Sequence, residues 1–111
     1  PPEQQGQVRT QLATAIQGVL CQTLLKRADA PGRVVAVEVM VATPAIRNLI
    51  REGKTHQIYT SLQAGAAMGM QSMDQHLAEL VKMGRISYES GVEMCHSYEE
   101  FNRLCGRAGR Q

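Results

Sequence analysis

Apolar residues recur at Val8, Leu12, Ile16, Val19 and Leu20, the spacing of one helix face, which predicts an amphipathic helix from Glu3 to about Leu20. Pro2 suits its first turn, where a missing N–H costs nothing, while Gly6 and Gly18 weaken it. Cys21 to Leu25 either continues that helix or forms a strand. Ala28-Asp29-Ala30-Pro31-Gly32 is a turn sequence. From Val34 to Val41 five valines are interrupted only by Ala36, Glu38 and Met40, which reads as a strand buried on both faces. Two strands alone do not make a stable sheet in water, so their sheet partners are expected outside the chain.

Beyond the valine run the period returns to that of helices, in short pieces with clear punctuation. Thr43 is an N-cap and Pro44 a first-turn proline, Ile46, Leu49 and Ile50 share one face, and Gly53 ends the helix. A second helix begins near Thr55 as its cap, with Ile58, Leu62 and Ala66 inward, and fades between Gly65 and Gly69. Ser72-Met73-Asp74-Gln75 is a capping box before Leu77, Leu80 and Val81, which with Met73 form a buried face that ends at Gly84. Ser87 caps a helix carrying Val92 and Cys95, and Ser97-Tyr98-Glu99-Glu100 is a second capping box before Phe101, Leu104 and Cys105. The predicted class is α+β and mostly helical: a long helix and a β-strand pair, then a bundle of about five short helices. Residues 106–111 are expected to be a frayed, basic tail.

Composition narrows this picture only in places. A chain of 111 residues suits one compact domain, and 43% hydrophobic with 20% charged residues argues for a folded one. With one Phe and no Trp, the core must be aliphatic, helped by six adaptable Met. A net charge of +2, spread along the chain, is too weak a basic footprint for nucleic-acid binding. Cys21, Cys95 and Cys105 cannot all pair within one chain and are read as reduced thiols. No apolar run approaches membrane-spanning length. The chain opens Pro1-Pro2 without an initiator Met, so further sequence is expected upstream.

Few residues carry candidate chemistry. Gly53-Lys54-Thr55 mimics the end of a phosphate-binding loop, but position 48 is Asn where that motif needs Gly, and a capped helix precedes it. Gly as helix stop and Thr as the next cap account for it. On the helix before it, Arg47 and Arg51 stand one turn apart on the polar face, with Lys54 just beyond. Like charges at that spacing repel by about 0.2–0.5 kcal/mol. The face is either a solvated one beside Glu52 or a basic patch for an acidic partner. His56, His76 and His96 lack metal-ligand spacing, and Glu38 in an apolar strand needs a cationic partner or a cleft. No nucleophile motif is present.

The stretch Ala45, Ile46, Arg47, Asn48, Leu49, Ile50, Arg51, Glu52, Gly53, Lys54, with Thr43-Pro44 before it and Thr55-His56-Gln57-Ile58 after, resembles the signature of type IV pilus retraction ATPases. Arg33 to Met40 resembles the strand before that signature, and Gly69 to Val81 the helix after it. The resemblance runs from Pro1 to about Ser87 and is loose beyond. It implies a secretion-type hexameric ATPase with a RecA-like core, using ATP and Mg, cytoplasmic and working beneath an inner-membrane pilus platform protein.

The Walker motifs of that family would lie upstream of Pro1, so no catalytic residue, metal site or bound nucleotide is expected in this chain. Residues 1–42 would be the end of the RecA-like core, 43–105 a C-terminal helical bundle, and Arg47, Arg51 and Lys54 a surface coupling ATP-driven motion to retraction. The alternatives are an assembly ATPase of the same superfamily, or a winged-helix-like nucleic-acid-binding module.

Overall fold

The computed structural model describes residues 2–107. In order it holds helix α1 (Pro2–Ala15), strands β1 (Gly18–Lys26) and β2 (Arg33–Val41), and helices α2 (Pro44–Arg51), α3 (Ile58–Ala64), α4 (Met73–Lys82), α5 (Tyr88–Met94) and α6 (Tyr98–Leu104). Short 3-10 turns at Thr55–Gln57 and Ala66–Met68 flank α3. The α+β, mostly helical class expected from the sequence is the one found.

The first helix is shorter than its apolar period predicts. It stops at Ala15, and Val19 and Leu20 lie in β1, paired with Met40 and Val39. Val-Leu-Cys-Gln-Thr-Leu-Leu fits a strand as well as a helix, and an antiparallel partner running unbroken from Gly18↔Val41 to Lys26↔Arg33 decides between them. Gly18 is required at the join, because a Cβ there would sit 2.9 Å from the Met40 carbonyl oxygen. The predicted inner face of the helix also differs. Val8 and Leu12 are exposed, whereas Ala13 is fully buried and Ile16 partly buried against the α2 cluster.

β2 is not buried on both faces as predicted. One face carries buried Ala36 and Met40 toward the helices; on the other, Leu20, Leu24 and Val35 are exposed. The two edges differ as well. The Val37 N–H donates to His76 Nδ1 at 2.8 Å, and its carbonyl accepts from Gln71 Nε2 at 2.6 Å. Val39 exchanges both backbone bonds with Gln71, at 2.9 and 3.0 Å. Because Val37 and Val39 bond outward, Ala36 and Glu38 are the residues that bond across to β1. By the same alternation, β1 turns the backbone of Leu20, Gln22 and Leu24 to its free edge, which no strand pairs among the described residues. The hairpin tip is tied down: Ala28 N–H donates to Arg85 O at 2.8 Å, and Arg27 pairs with Asp29 at 2.9 Å.

Two apolar clusters hold the helices. One joins Leu25 and Ala36 to Leu77, Ala78, Leu80, Ile86 and Phe101; the other joins Ala13 and Met40 to Ile46, Ile50, Leu62 and Met70. Both combine residues from before and after position 42. The radius of gyration is 16.0 Å, against about 13 Å for a compact domain of this length, in keeping with a sheet face left open.

Local caps and helix faces follow the sequence closely, with four departures. The Ser72–Gln75 box is complete. At Ser97 only half forms: its Oγ accepts from Glu100 N–H, while the Glu100 carboxylate goes to Arg103 and Gln63 because Asp74 occupies the Ser97 N–H. Thr55 makes no side-chain cap, and Ala66 is exposed. Gly106, expected to be frayed, ends α6 at φ +80°, and Arg107 donates its N–H to Asn102 O at 2.9 Å while its guanidinium lies 3.6 Å over the Tyr88 ring. Residues 108–111 of the expected tail fall outside the described residues.

Gly91 lies inside α5 against Phe101, where a Cβ would come 2.4 Å from the ring. Gly91→Ala is therefore expected to destabilise the fold by about 1–3 kcal/mol, read as a lower urea midpoint at unchanged m-value.

Candidate functional site

The Ala45–Lys54 stretch forms α2 and the turn after it. Thr43 Oγ accepts from Ile46 N–H at 3.2 Å and Pro44 occupies the first turn, so the start is fixed locally. Ile46 is fully buried and Ile50 nearly so, with Leu49 half-buried, which leaves Ala45, Asn48, Arg51, Glu52, Gly53 and Lys54 exposed. Gly53 takes the left-handed conformation, φ +72°, that stops the helix.

The basic residues of this stretch have different partners. Arg47 is half-buried and donates through Nη1 to the carbonyl oxygens of Ala13 at 2.7 Å and Thr14 at 3.1 Å, the end of α1. Arg51 donates to Asn48 Oδ1 at 2.6 Å on its own helix. Lys54 pairs with Glu52 at 3.3 Å, both more than half exposed. Arg9, from α1, lies against Gly53: a Cβ there would be 3.3 Å from its Nε. That buried Nε has no hydrogen-bond partner among the described residues.

Next to this stretch a cleft of about 470 Å³ opens between the hairpin and α3, with Glu38, His56, Tyr59 and His96 above a floor including Met40 and Leu62. The Tyr59 and His96 rings stack at 3.7 Å and form a wall shared with a smaller cleft of about 180 Å³ holding Ser72, Asp74 and Glu100. Burial, then the nearby Glu38 and Asp74 carboxylates, push the Tyr59 phenol above its ordinary pKa.

Glu38 faces this cleft, one of the two settings expected for it, and in place of a cation a helix terminus answers it: Oε2 accepts from the Met73 N–H, the first of α4, at 3.0 Å. Among the described residues no group of three His, Cys, Asp or Glu could hold a metal, and no helix is long and apolar enough to cross a membrane.

Sequence reasoning passed over Asp74, Gln71 and Arg9. Asp74 is 4% exposed and accepts from the backbone N–H groups of His96 and Ser97, at 2.6 and 2.9 Å. Its first-turn position advertised only a helix-dipole role, and nothing local marks a bond spanning 22 residues. Asp74→Asn keeps the shape but sets an amide N–H₂ against a backbone donor. A loss of about 1–3 kcal/mol is expected, measured by denaturant unfolding.

Burial raises the Cys95 and Cys105 thiols above their usual pKa, and Cys21 is exposed. Alkylation of the native chain followed by peptide mass mapping should label Cys21 first; equal labelling of all three would contradict this packing.

No family model matches the chain. It is 46% identical over 101 residues to the type IV pilus retraction ATPase PilT of Pseudomonas aeruginosa, covering 91% of this chain and 29% of that protein. To a twitching motility protein of Neisseria gonorrhoeae it is 42% identical over 102 residues, 92% of this chain and 27% of the relative. The type IV pilus ATPase PilU of P. aeruginosa matches at 33% over 104 residues, 94% of this chain and 27% of the relative.

Among solved structures, the pilus retraction motor PilT with bound ADP superposes at TM-score 0.78 and 39% identity, over 93% of this chain and 28% of that one. The Legionella pneumophila ATPase DotB shares the fold at TM-score 0.57 and 18% identity, over 79% of this chain and 24% of its own. Along nine-tenths of its length the chain is therefore homologous to the C-terminal part of PilT. It spans less than a third of the length of the curated relatives it matches. An alignment over 101 of the 111 residues cannot end before position 101, so it extends past Ser87, beyond which the sequence alone suggests only a loose resemblance.

Proposed function

We propose that this chain is the C-terminal coupling region of an ATP-driven type IV pilus retraction motor. The observation that carries this reading is the 46% identity to PilT across a span that must include the whole of Ala45–Lys54, a helix whose polar end stands free on the surface. In this reading ATP and Mg bind and react in the larger protein, which works as a cytoplasmic homo-hexamer against an inner-membrane pilus platform protein, and no nucleic acid is involved. The open sheet fits the same reading: among the described residues no strand pairs the outer edge of β1, where a continuing RecA-like sheet would add strands, and Leu20, Leu24 and Val35 leave an apolar face exposed for elements of a larger protein to cover.

Within the signature, the exposed Arg51 and Lys54, flanked by Asn48 and Glu52, supply the partner-facing charges. Both are held only by short-range surface contacts, worth little in water and easily exchanged for those of a partner.

In the full-length protein, Arg51→Ala combined with Lys54→Ala should abolish pilus retraction while ATP turnover stays within about twofold of the parent. Retention of both activities would end the assignment of the coupling surface. The 111-residue chain alone is expected neither to bind nor to hydrolyse ATP; nucleotide titration followed by fluorescence, with a phosphate-release assay, checks this, and any turnover would move the catalytic boundary into this chain.

A further inference from the structure

The signature helix and α1 meet at a junction held both by hydrogen bonds and by buried apolar packing. Helix α1 ends at Ala15 with no basic residue in its last turn, so the carbonyls there call for donors from elsewhere. Arg47 supplies them, reaching from the polar face of α2 to Ala13 O and Thr14 O through one nitrogen. A guanidinium is suited to this, since it brings a positive charge to the negative end of a helix as well as N–H donors.

The apolar contact beneath is equally close, with Ala13 and Ile46 both at 0% exposure in one cluster. One turn toward the start of α1, Arg9 lies on Gly53, where any side chain would crowd it. Just past the end of α1, Ala42 N–H donates to Gln17 O at 3.0 Å, tying the chain that enters β1 to the chain that leaves β2 for α2.

We infer that Arg47 is a positioning residue that locks α1 and the signature helix into one rigid body, so that displacement of α1 is carried to Arg51 and Lys54. This rests on the coupling reading above and divides its labour. Arg51 and Lys54 face the partner, and Arg47 faces inward, acting through α1. An Arg47 substitution would then fail for a different reason from an Arg51 or Lys54 substitution, although all three lie within the same eight positions.

The test is amide hydrogen exchange over residues 10–17 of the full-length protein, measured beside ATP turnover and retraction. Arg47→Ala is expected to speed exchange in the last turn of α1 by about tenfold to a hundredfold, the size of losing a hydrogen bond to a charged donor, with retraction lost and ATP turnover kept. Arg47→Lys, which still brings a cation to the two carbonyls, should restore the protection and part of the retraction. Arg51→Ala with Lys54→Ala should leave exchange in α1 unchanged.

Parental exchange in Arg47→Ala would overturn the inference. So would an Arg47→Lys protein that regains α1 protection but none of the retraction, because the guanidinium would then be needed by a partner. Should Arg47→Ala fail to fold, Arg47→Gln keeps one donor arm and is read in the same way. If Arg51 and Lys54 prove dispensable for retraction, the coupling reading falls, while the exchange result still decides whether Arg47 holds α1.

Discussion

Val37 and Val39 have all four of their outward backbone groups answered from within the chain, and the rest of the architecture is arranged around that fact. An edge strand normally offers its N–H and C=O groups to any passing strand. Here Gln71 lends its backbone to Val39 and its side chain to Val37, and His76 completes the set by accepting from the Val37 N–H. Nδ1 of His76 must be bare to do so, which fixes the ring tautomer. Closing β2 in this way places the start of α4 against the sheet and leaves extension of the sheet to β1 alone.

From β2 the same logic passes outward through two carboxylates. Glu38 takes the first N–H of α4, and Asp74 on that helix takes two N–H groups of the turn before α6. Both are anions answered by backbone donors, and such charge-assisted bonds are stronger than bonds between neutral groups. Sheet, α4 and α6 are thereby linked in series by two side chains. Asp74 also displaces the reciprocal half of the Ser97 cap, which frees Glu100 to hold Gln63 of α3 and Arg103. The wall of Tyr59 and His96 stands between the two carboxylates, and so their charges are felt at the Tyr59 phenol.

What was legible in the sequence was what is decided locally. The valine run, the Thr43, Ser72 and Ser87 caps and the stops at Gly53 and Gly84 each depend on residues within about one helical turn, and each is found where the pattern placed it. The helix that overran to Leu20 failed because Val19 and Leu20 satisfy both periods, and the arbiter, a β2 partner some twenty positions away, is non-local. Val8 and Leu12 marked an apolar face correctly but not what it meets: α2 chose Ala13, where a small side chain lets two helices approach. Bonds such as those of Glu38, Asp74 and His76 span 22 to 39 residues, and no local spacing announces them.

The signature helix shows how a rigid mount and a labile tip can be combined in ten residues. Its apolar side is fixed by the burial of Ile46 and Ile50, its start by Thr43 and Pro44, and its flank by Arg47 on α1. Everything beyond Asn48 on the polar side is held by contacts that water competes with: an arginine on an amide oxygen and an exposed ion pair. A partner arriving there would have little intramolecular bonding to displace, and it would meet a helix whose direction is already set. In the proposed coupling role, force applied at such a tip would be resisted by buried apolar packing and by the carbonyls of α1, not by the surface charges, so the tip would exchange partners without the mount yielding.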